Sequence, residues 1–340
     1  APPPAPAAVQ RATLHVTSYQ VYSGAGTLSV FRLDPGRVLG AAEAALPAAA
    51  DVISGAHAFD ADIGTHADVV YADAFDGSAW TDVATAKPAV VGALRVDRHE
   101  NYASVAAAST ELAFAPVDAH AGDALRVRWR DGSNYGGSIS YYFADGADGG
   151  GGGTEPTDAY FRYYVRLADD WYQHIDGGKM PGFAATYNTC GWGGRRADPA
   201  KCWSARGHYA VSIDDADNPL RGATPFGSYI YHKDQASQYG DSQTWTGAGR
   251  MPTKNEWMCV EQRVRLNDVG AANGFIEAWL DERLAFRREN ITFRTADAVK
   301  IERVWLNWYH GGTAATDHDS HLFIDALVVA TSRIGCRRDA

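Results

Sequence analysis

From about Val69 onward the chain runs in short stretches of alternating apolar and polar residues, separated by Gly, Asp and Asn. In Leu125-Arg-Val-Arg-Trp-Arg130 the apolar residues are Leu125, Val127 and Trp129, with three arginines opposite. In Phe161-Arg-Tyr-Tyr-Val-Arg-Leu167 the odd positions are apolar and Arg162, Tyr164 and Arg166 point the other way; Val260–Leu266 and Val304–Tyr309 repeat the pattern. Period-two alternation predicts strands with one face packed on a second sheet and the other open to water or ligand. Long helical patterns are absent. The expected fold is therefore all-β, a two-sheet antiparallel β-sandwich of jelly-roll type over residues 69–340, with a short N-terminal extension. That extension, residues 12–68, contains two strand-like stretches between Thr13 and Leu33 and an Ala-rich piece, Ala41–Ala50, broken by Pro47. Residues 1–11 read as a Pro/Ala linker, as left when a signal peptide is removed.

Composition narrows the function classes. With 340 residues, 46 % of them hydrophobic, the chain can build one large β domain plus an extension. No run reaches the length of a membrane span, so no membrane partner is expected. The four cysteines, Cys190, Cys202, Cys259 and Cys336, have no metal or redox spacing. Of three possible pairings, Cys190–Cys202 would close a short Gly/Trp/Arg loop and Cys259–Cys336 would tie a late strand to the C-terminal segment. Paired cysteines point to an oxidising compartment, hence a secreted, extracellular or periplasmic protein. The net charge of −10 argues against nucleic acid, which needs a basic footprint. An acidic chain still binds a polyanion where its cations converge in one cleft.

Four segments combine polar and aromatic residues in a way that a plain structural face does not need. In Gly177-Gly-Lys-Met-Pro-Gly182, Lys179 is expected on a rigid turn that aims its ammonium. In Ser204-Ala-Arg-Gly-His208, an extended backbone puts Ser204, Arg206 and His208 on one face, and the Arg fork suits a carboxylate. Tyr229-Ile-Tyr231 sets two phenols side by side; taken alone, such a pair is ordinary sheet packing. In Trp305-Leu-Asn-Trp-Tyr-His310, Trp305, Asn307 and Tyr309 share one face and Val304, Leu306 and Trp308 the core side. Two aromatics flanking an amide suit a sugar. The loop carrying Arg195, Arg196 and Lys201 is expected to form one wall of the cleft.

These segments resemble polysaccharide lyase families 14 and 20, the jelly-roll alginate and glucuronan lyases. Gly178-Lys-Met-Pro-Gly182 is similar to the family's lysine turn, Ser204-Ala-Arg206 to its Ser-x-Arg strand, and Tyr229-Ile-Tyr231 to its Tyr-x-Tyr strand. Val264-Arg-Leu-Asn267 followed by Asn273–Asp281 resembles its late hairpin, and Asp325 its closing strand. The likeness spans roughly residues 69–335 and rests on motif order and spacing. The stretches 190–202 and 206–229 are longer than the family pattern, and residues 1–68 have no counterpart in it. The resemblance implies an enzyme that cuts an acidic polysaccharide by β-elimination, with Lys179, Arg206, Tyr229 and Tyr231 catalytic. Ser204, His208, Asn307, Trp305, Tyr309, Arg195 and Arg196 are expected to bind substrate.

The chemistry is consistent. β-Elimination removes the proton α to a uronate carboxylate and expels the 4-linked oxygen, so the charge building on the carboxylate needs a positioned donor, here Arg206 with Asn307. A base and an acid must flank the bond, and Lys179, Tyr229 and Tyr231 supply them in an order that sequence leaves open. No metal or cofactor is required, and a monomer is expected. Asp317-His-Asp-Ser-His321 reads as a solvated loop, and Asp214-Asp-Ala-Asp217 lacks the Gly and Glu of a calcium loop. Asn290-Ile-Thr292 has the form of a glycosylation sequon. Two other classes compete: a non-catalytic carbohydrate-binding protein, and a glycoside hydrolase using Glu256 with Glu261 or Glu277 with Asp281.

Overall fold

The computed structural model describes residues 48–75, 90–96, 110–115, 124–144, 151–171, 176–311 and 315–338. The expected linker and residues 12–47 of the extension, with their strand-like stretches, lie outside them. The first strands are β1 (Val69–Asp73), β2 (Val90–Val91), β3 (Leu94–Val96), β4 (Thr110–Ala115), β5 (Ala124–Trp129), β6 (Tyr135–Tyr142), β7 (Asp158–Leu167) and β8 (Gly178–Ala185). The second half supplies β9 (Trp203–Tyr209), β10 (Phe226–Tyr231), β11 (Asp241–Thr244), β12 (Trp257–Arg265), β13 (Gly274–Leu280), β14 (Arg283–Ile291), β15 (Arg303–His310) and β16 (Ser320–Ala330). They form two antiparallel sheets. One runs β14-β13-β12-β7-β16-β5-β4, with β1 also on β16; the other runs β11-β10-β9-β8-β15-β6-β3-β2. The expected two-sheet sandwich is what the chain builds.

The alternation decides which side chains meet between the sheets. Leu125, Val127, Trp129, Phe161, Tyr163, Val165 and Leu167 from the first sheet pack against Phe183, Trp203, Ala205, Ile230, Val304, Leu306 and Trp308 from the second. Each large apolar side chain withdrawn from water in this way contributes about 1.5–3 kcal/mol before conformational entropy is set against it.

One strand breaks the alternation. In a regular strand residues four apart share a face, yet in β8 Met180 and Phe183 are both core residues while Lys179 lies opposite the core. The cause is a bulge at Pro181-Gly182, where the register shifts against both neighbouring strands. Proline cannot donate to a ladder, so in a central strand it needs such a bulge. Gly182 then lies so near β9 that a Cβ would come within 2.4 Å of Ala205 O and Arg206 Cα. The Pro181 carbonyl accepts from Nε2 of Gln262, a buried amide reaching across from the other sheet, at 3.0 Å. The Gly177–Gly182 segment is therefore a bulged strand entry and not the turn expected from its glycines.

The outer face of the first sheet also departs from expectation. Arg162 and Tyr164 are buried there, not open to water. Residues 48–68 cross it as four 3-10 turns (Ala49–Asp51, Ile53–Ala56, Ala58–Asp60, Ile63–Thr65) and seat Ile53 and Ile63 against Tyr160, Trp279 and Val328. Arg162 is paired there with Asp60 at 2.7 Å. The C-terminal segment covers the remainder: buried Glu261 accepts the N–H groups of Ile334 and Gly335, and Cys336 bonds Cys259 as expected. Glu261 is thus an anchor for the chain end.

Gln262→Leu keeps the volume but leaves the Pro181 carbonyl without this donor. A buried acceptor so orphaned costs about 1–3 kcal/mol. Urea unfolding should show a stability loss of that size with unchanged m, and a loss under about 0.5 kcal/mol would show that the cross-sheet bond does not hold the bulge.

Candidate active site

The face of the second sheet turned away from the core carries the residues singled out in the sequence. Three rows cross its strands. Tyr135, Tyr309, Lys179 and His208 are successive register partners on β6, β15, β8 and β9. Arg206 is opposite Tyr229, and Asn307 opposite Ser138. Ser204 is opposite Tyr231, and Trp305 opposite Ser140. Arg206, Tyr229, Tyr231 and Asn307 therefore share a face, as alternation requires.

Arg206 is the electrostatic centre. Only 5 % exposed, it donates from Nη1 to Asn307 Oδ1 at 3.0 Å, across the bulged stretch of β8. Its guanidinium lies 4.9 Å from the Trp305 ring centroid and 5.8 Å from that of Tyr229. Burial draws its pKa down from the ordinary arginine range, but a guanidinium stays cationic at neutral pH. The Lys179 Nζ sits 3.9 Å from the Tyr229 centroid. Burial, and then the charge of Arg206, push the Lys179 ammonium down to about 7. The same forces, with Lys179 as the nearby charge, hold His208 at about 3, a neutral imidazole at physiological pH.

The tyrosines respond in the opposite sense, because burial disfavours the phenolate. Tyr229 is raised well above the usual range, chiefly by burial and next by Tyr231, while the charge of Arg206 opposes the shift. Tyr231 is buried with its ring 5.5 Å from that of Tyr229, and its Oη accepts the Gly194 N–H at 3.2 Å. Tyr135, which sequence reasoning passed over, packs edge-on against Tyr309 at 4.9 Å. Burial, then Tyr309, raise it to about 12, with Arg206 opposing. The only signal for it was its place at the head of the alternating strand Tyr135–Tyr142, after a Gly/Asn turn.

The Cys190–Cys202 bond is formed as expected and closes a loop over this face. Trp192 packs on Ala184 and Trp305. Ser204 is fully buried and donates to Gly191 O at 2.6 Å, so it tethers the loop and is not placed to reach a substrate. Trp305 is also buried, its Nε1 donating to Ser138 Oγ at 2.8 Å. It backs Arg206 and is no open sugar platform. Arg195 is exposed and stacks on Trp192, whereas Arg196 donates to the Gln235 carbonyl. Lys201 pairs with Asp198 on the surface.

Other candidates lie elsewhere. Glu277 is paired with Arg263 and Arg287, and Asp281 with Arg250, all in or beside the first sheet; Glu256 bonds Thr253 and Glu261 holds the chain end. No hydrolase-like carboxylate pair of these four faces the cleft. Asp325 is buried in β16 of the first sheet. His318 pairs with Asp317 and His321 with Asp170.

The family model for polysaccharide lyase 14 matches residues 118–324. No curated protein sequence matches the chain. Among solved structures, the marine PL-14 alginate lyase from Aplysia kurodai shares 16 % identity, covering 78 % of this chain and 100 % of its own, with a TM-score of 0.56. An alginate lyase from a Chlorella virus shares 14 % identity over 69 % of this chain and 97 % of its own, at a TM-score of 0.48. An endo-β-1,4-glucuronan lyase from Trichoderma reesei shares 13 % over 65 % and 87 %, at 0.44. At such identities the likeness is one of fold, and the family match carries the assignment. The chain belongs to the polysaccharide lyase 14 family.

Proposed function

We propose that this lyase cleaves a 4-linked polyuronate by β-elimination on the Arg206 face. The observation that carries the reading is a buried arginine, hydrogen-bonded to Asn307, beside a lysine held near neutrality. Arg206 receives the uronate carboxylate. Because Asn307 Oδ1 already accepts from Arg206, its amide nitrogen is what it offers the same carboxylate. Both contacts strengthen as charge moves onto the carboxylate oxygens in the transition state.

Lys179 is the base in this reading, since a base works best when its pKa lies near the working pH. Tyr229, held protonated by the same burial, is the acid. The amine of Lys179 takes the C5 proton, the C4=C5 double bond forms, and the C4–O bond breaks. The Tyr229 proton goes to the departing oxygen. Proton return from ammonium to phenolate, through solvent, resets the site. The Aplysia relative is an alginate lyase, which, with the family match, supports a polyuronate as the substrate class. Two formed disulfides support an oxidising, extracellular or periplasmic setting.

Incubation with purified mannuronate, guluronate and glucuronate polymers should release product that absorbs in the ultraviolet through its conjugated double bond. Hydrolysis would shorten the polymer without that absorbance, and binding alone would do neither. Arg206→Ala should lower turnover ~10²–10³-fold, with Arg206→Lys recovering only part because a point charge cannot reproduce the fork. Arg206 is buried, so the alanine variant should also lose about 1–3 kcal/mol of stability for the abandoned Asn307 carbonyl and melt at a lower temperature. Turnover is therefore compared well below both midpoints; activity within a few-fold of wild type would remove Arg206 from the mechanism.

The pH profile tests the base. Lys179 acts only after losing its proton, so kcat/KM should climb about tenfold per unit up to pH about 7 and flatten above it. Lys179→Ala should abolish that limb and cost ~10²–10⁴ in turnover. A rate that falls as pH rises through 7 would mean that the charged form is needed, and would reverse the assignment.

A further inference from the structure

We propose that Tyr239 is a sugar-stacking platform at the rim of the cleft, binding the pyranose ring of the unit that lies beyond the tyrosine pair. The inference rests on the polyuronate reading above and adds a subsite to it. Tyr239 is 51 % exposed, the most exposed large hydrophobic side chain among the described residues. A tyrosine on a surface hairpin needs no explanation by itself. Here the backbone around it is held in a frame of hydrogen bonds. The Tyr239 carbonyl accepts from Gln235 Nε2 at 3.1 Å and Ser237 Oγ at 2.9 Å, and its N–H donates to Ser237 Oγ at 3.0 Å. Gln235 is itself buried: its Nε2 also bonds the Ser237 carbonyl at 3.0 Å, and its Oε1 accepts the His232 N–H at 3.1 Å. Its backbone carbonyl accepts from Arg196 of the disulfide loop. Two loops are thereby locked together, and the Tyr239 ring is held exposed among polar neighbours such as Arg195, Arg196 and Gln238.

The ring's position ties it to the chemistry. It lies against Gly194, where an added Cβ would stand 3.3–3.8 Å from Tyr239 ring and hydroxyl atoms. Gly194 has φ +78°, a conformation that favours glycine, and its N–H is the one bonded to Tyr231. The next residue, Gly240, passes so close to Tyr231 that a Cβ would meet Ile230 O and Tyr231 Cδ2 at 2.9 Å. Lys179 is level with His208 and so with Gly227 at one end of β10; Tyr239 lies past Tyr231 at the other. A chain whose scissile bond sits between Lys179 and Tyr229 therefore continues toward Tyr239. The C–H face of a pyranose is apolar and stacks on such a ring, while its carboxylate and hydroxyls remain in water.

The test is steady-state kinetics on the polyuronate that wild type cuts best, with Tyr239→Ala, Tyr239→Leu, Tyr239→Phe and Tyr239→Trp. Loss of stacking should raise KM about three- to tenfold in the alanine and leucine variants, with kcat within twofold and an unchanged melting temperature. Phenylalanine and tryptophan should keep the wild-type KM, because the platform needs a ring and not a hydroxyl. An unchanged KM in Tyr239→Ala, or a Tyr239→Phe variant as weak as alanine, would overturn the proposal. So would a fall in kcat together with melting temperature, which marks a structural role. A wild-type enzyme that yields no unsaturated product from any polyuronate would sink the polyuronate reading and this inference together. An active wild type with an indifferent Tyr239→Ala would sink this inference alone.

Discussion

The cleft depends on one change of phase in one strand. Without the bulge at Pro181-Gly182, the residues of β8 that pack the core and the residue that enters the cleft would compete for one face: Phe183 and Lys179 are four apart. Proline removes a ladder donor, glycine lets β9 close in, and the freed Pro181 carbonyl finds Gln262 from the opposite sheet. The same irregular stretch lies between Arg206 and Asn307, which sit on strands that do not pair with each other yet form a hydrogen bond over it.

Around this bulge the site is short of negative charge. Arg206 and Lys179 stand in a pocket walled by aromatic rings, and the amide of Asn307 is a neutral partner. Asp176 pulls the Lys179 pKa upward, but burial and Arg206 outweigh it. A buried guanidinium whose hydrogen-bond partner is a neutral amide is costly in the empty protein. In the reading proposed above, an anionic substrate offsets that cost on binding, which gives the free site a preference for a polyanion. The same arrangement accounts for an acidic protein that is suited to an acidic polymer: the overall charge resides elsewhere, and only the local field matters to the ligand.

The stabilising contacts and the proposed chemistry are divided between the sheets. The first sheet carries the 3-10 turns, the half-buried Arg162–Asp60 pair, the Glu261 anchor and the Cys259–Cys336 bond. The second carries the cleft and the wall closed by Cys190–Cys202, with Trp192 wedged beside Trp305 and Gln235 joining that wall to the β10–β11 hairpin. Residues that look chemical in isolation, such as Glu261, Asp325 or Ser204, prove to be structural once their partners are known. A fully buried carboxylate with two backbone donors has its bonding capacity spent on the fold.

Alternation alone determined a great deal. It separated Trp203, Ala205 and Tyr209 from Ser204, Arg206 and His208, and it put Tyr229, Tyr231 and Asn307 on the face that Arg206 shares, because the two-residue period of a strand is a local property of the backbone. The cysteine pairs were legible for a related reason: a short loop and a strand-to-terminus tie are the simplest closures. What sequence could not reveal were the quantities set by contacts between distant segments. The phase of Lys179 turns on a bulge whose carbonyl is satisfied from the other sheet. The burial of Ser204 and Trp305 turns on a loop folding back over them, and the covering of Arg162 on the two ends of the described chain. Tyr135 and Tyr239 stand beside the cleft only because their strands and hairpins pack there; in sequence they are one tyrosine after a turn and another in a polar loop. Period and composition are written residue by residue, whereas burial, pKa and the meeting of Arg206 with Asn307 exist only after the sheets have closed.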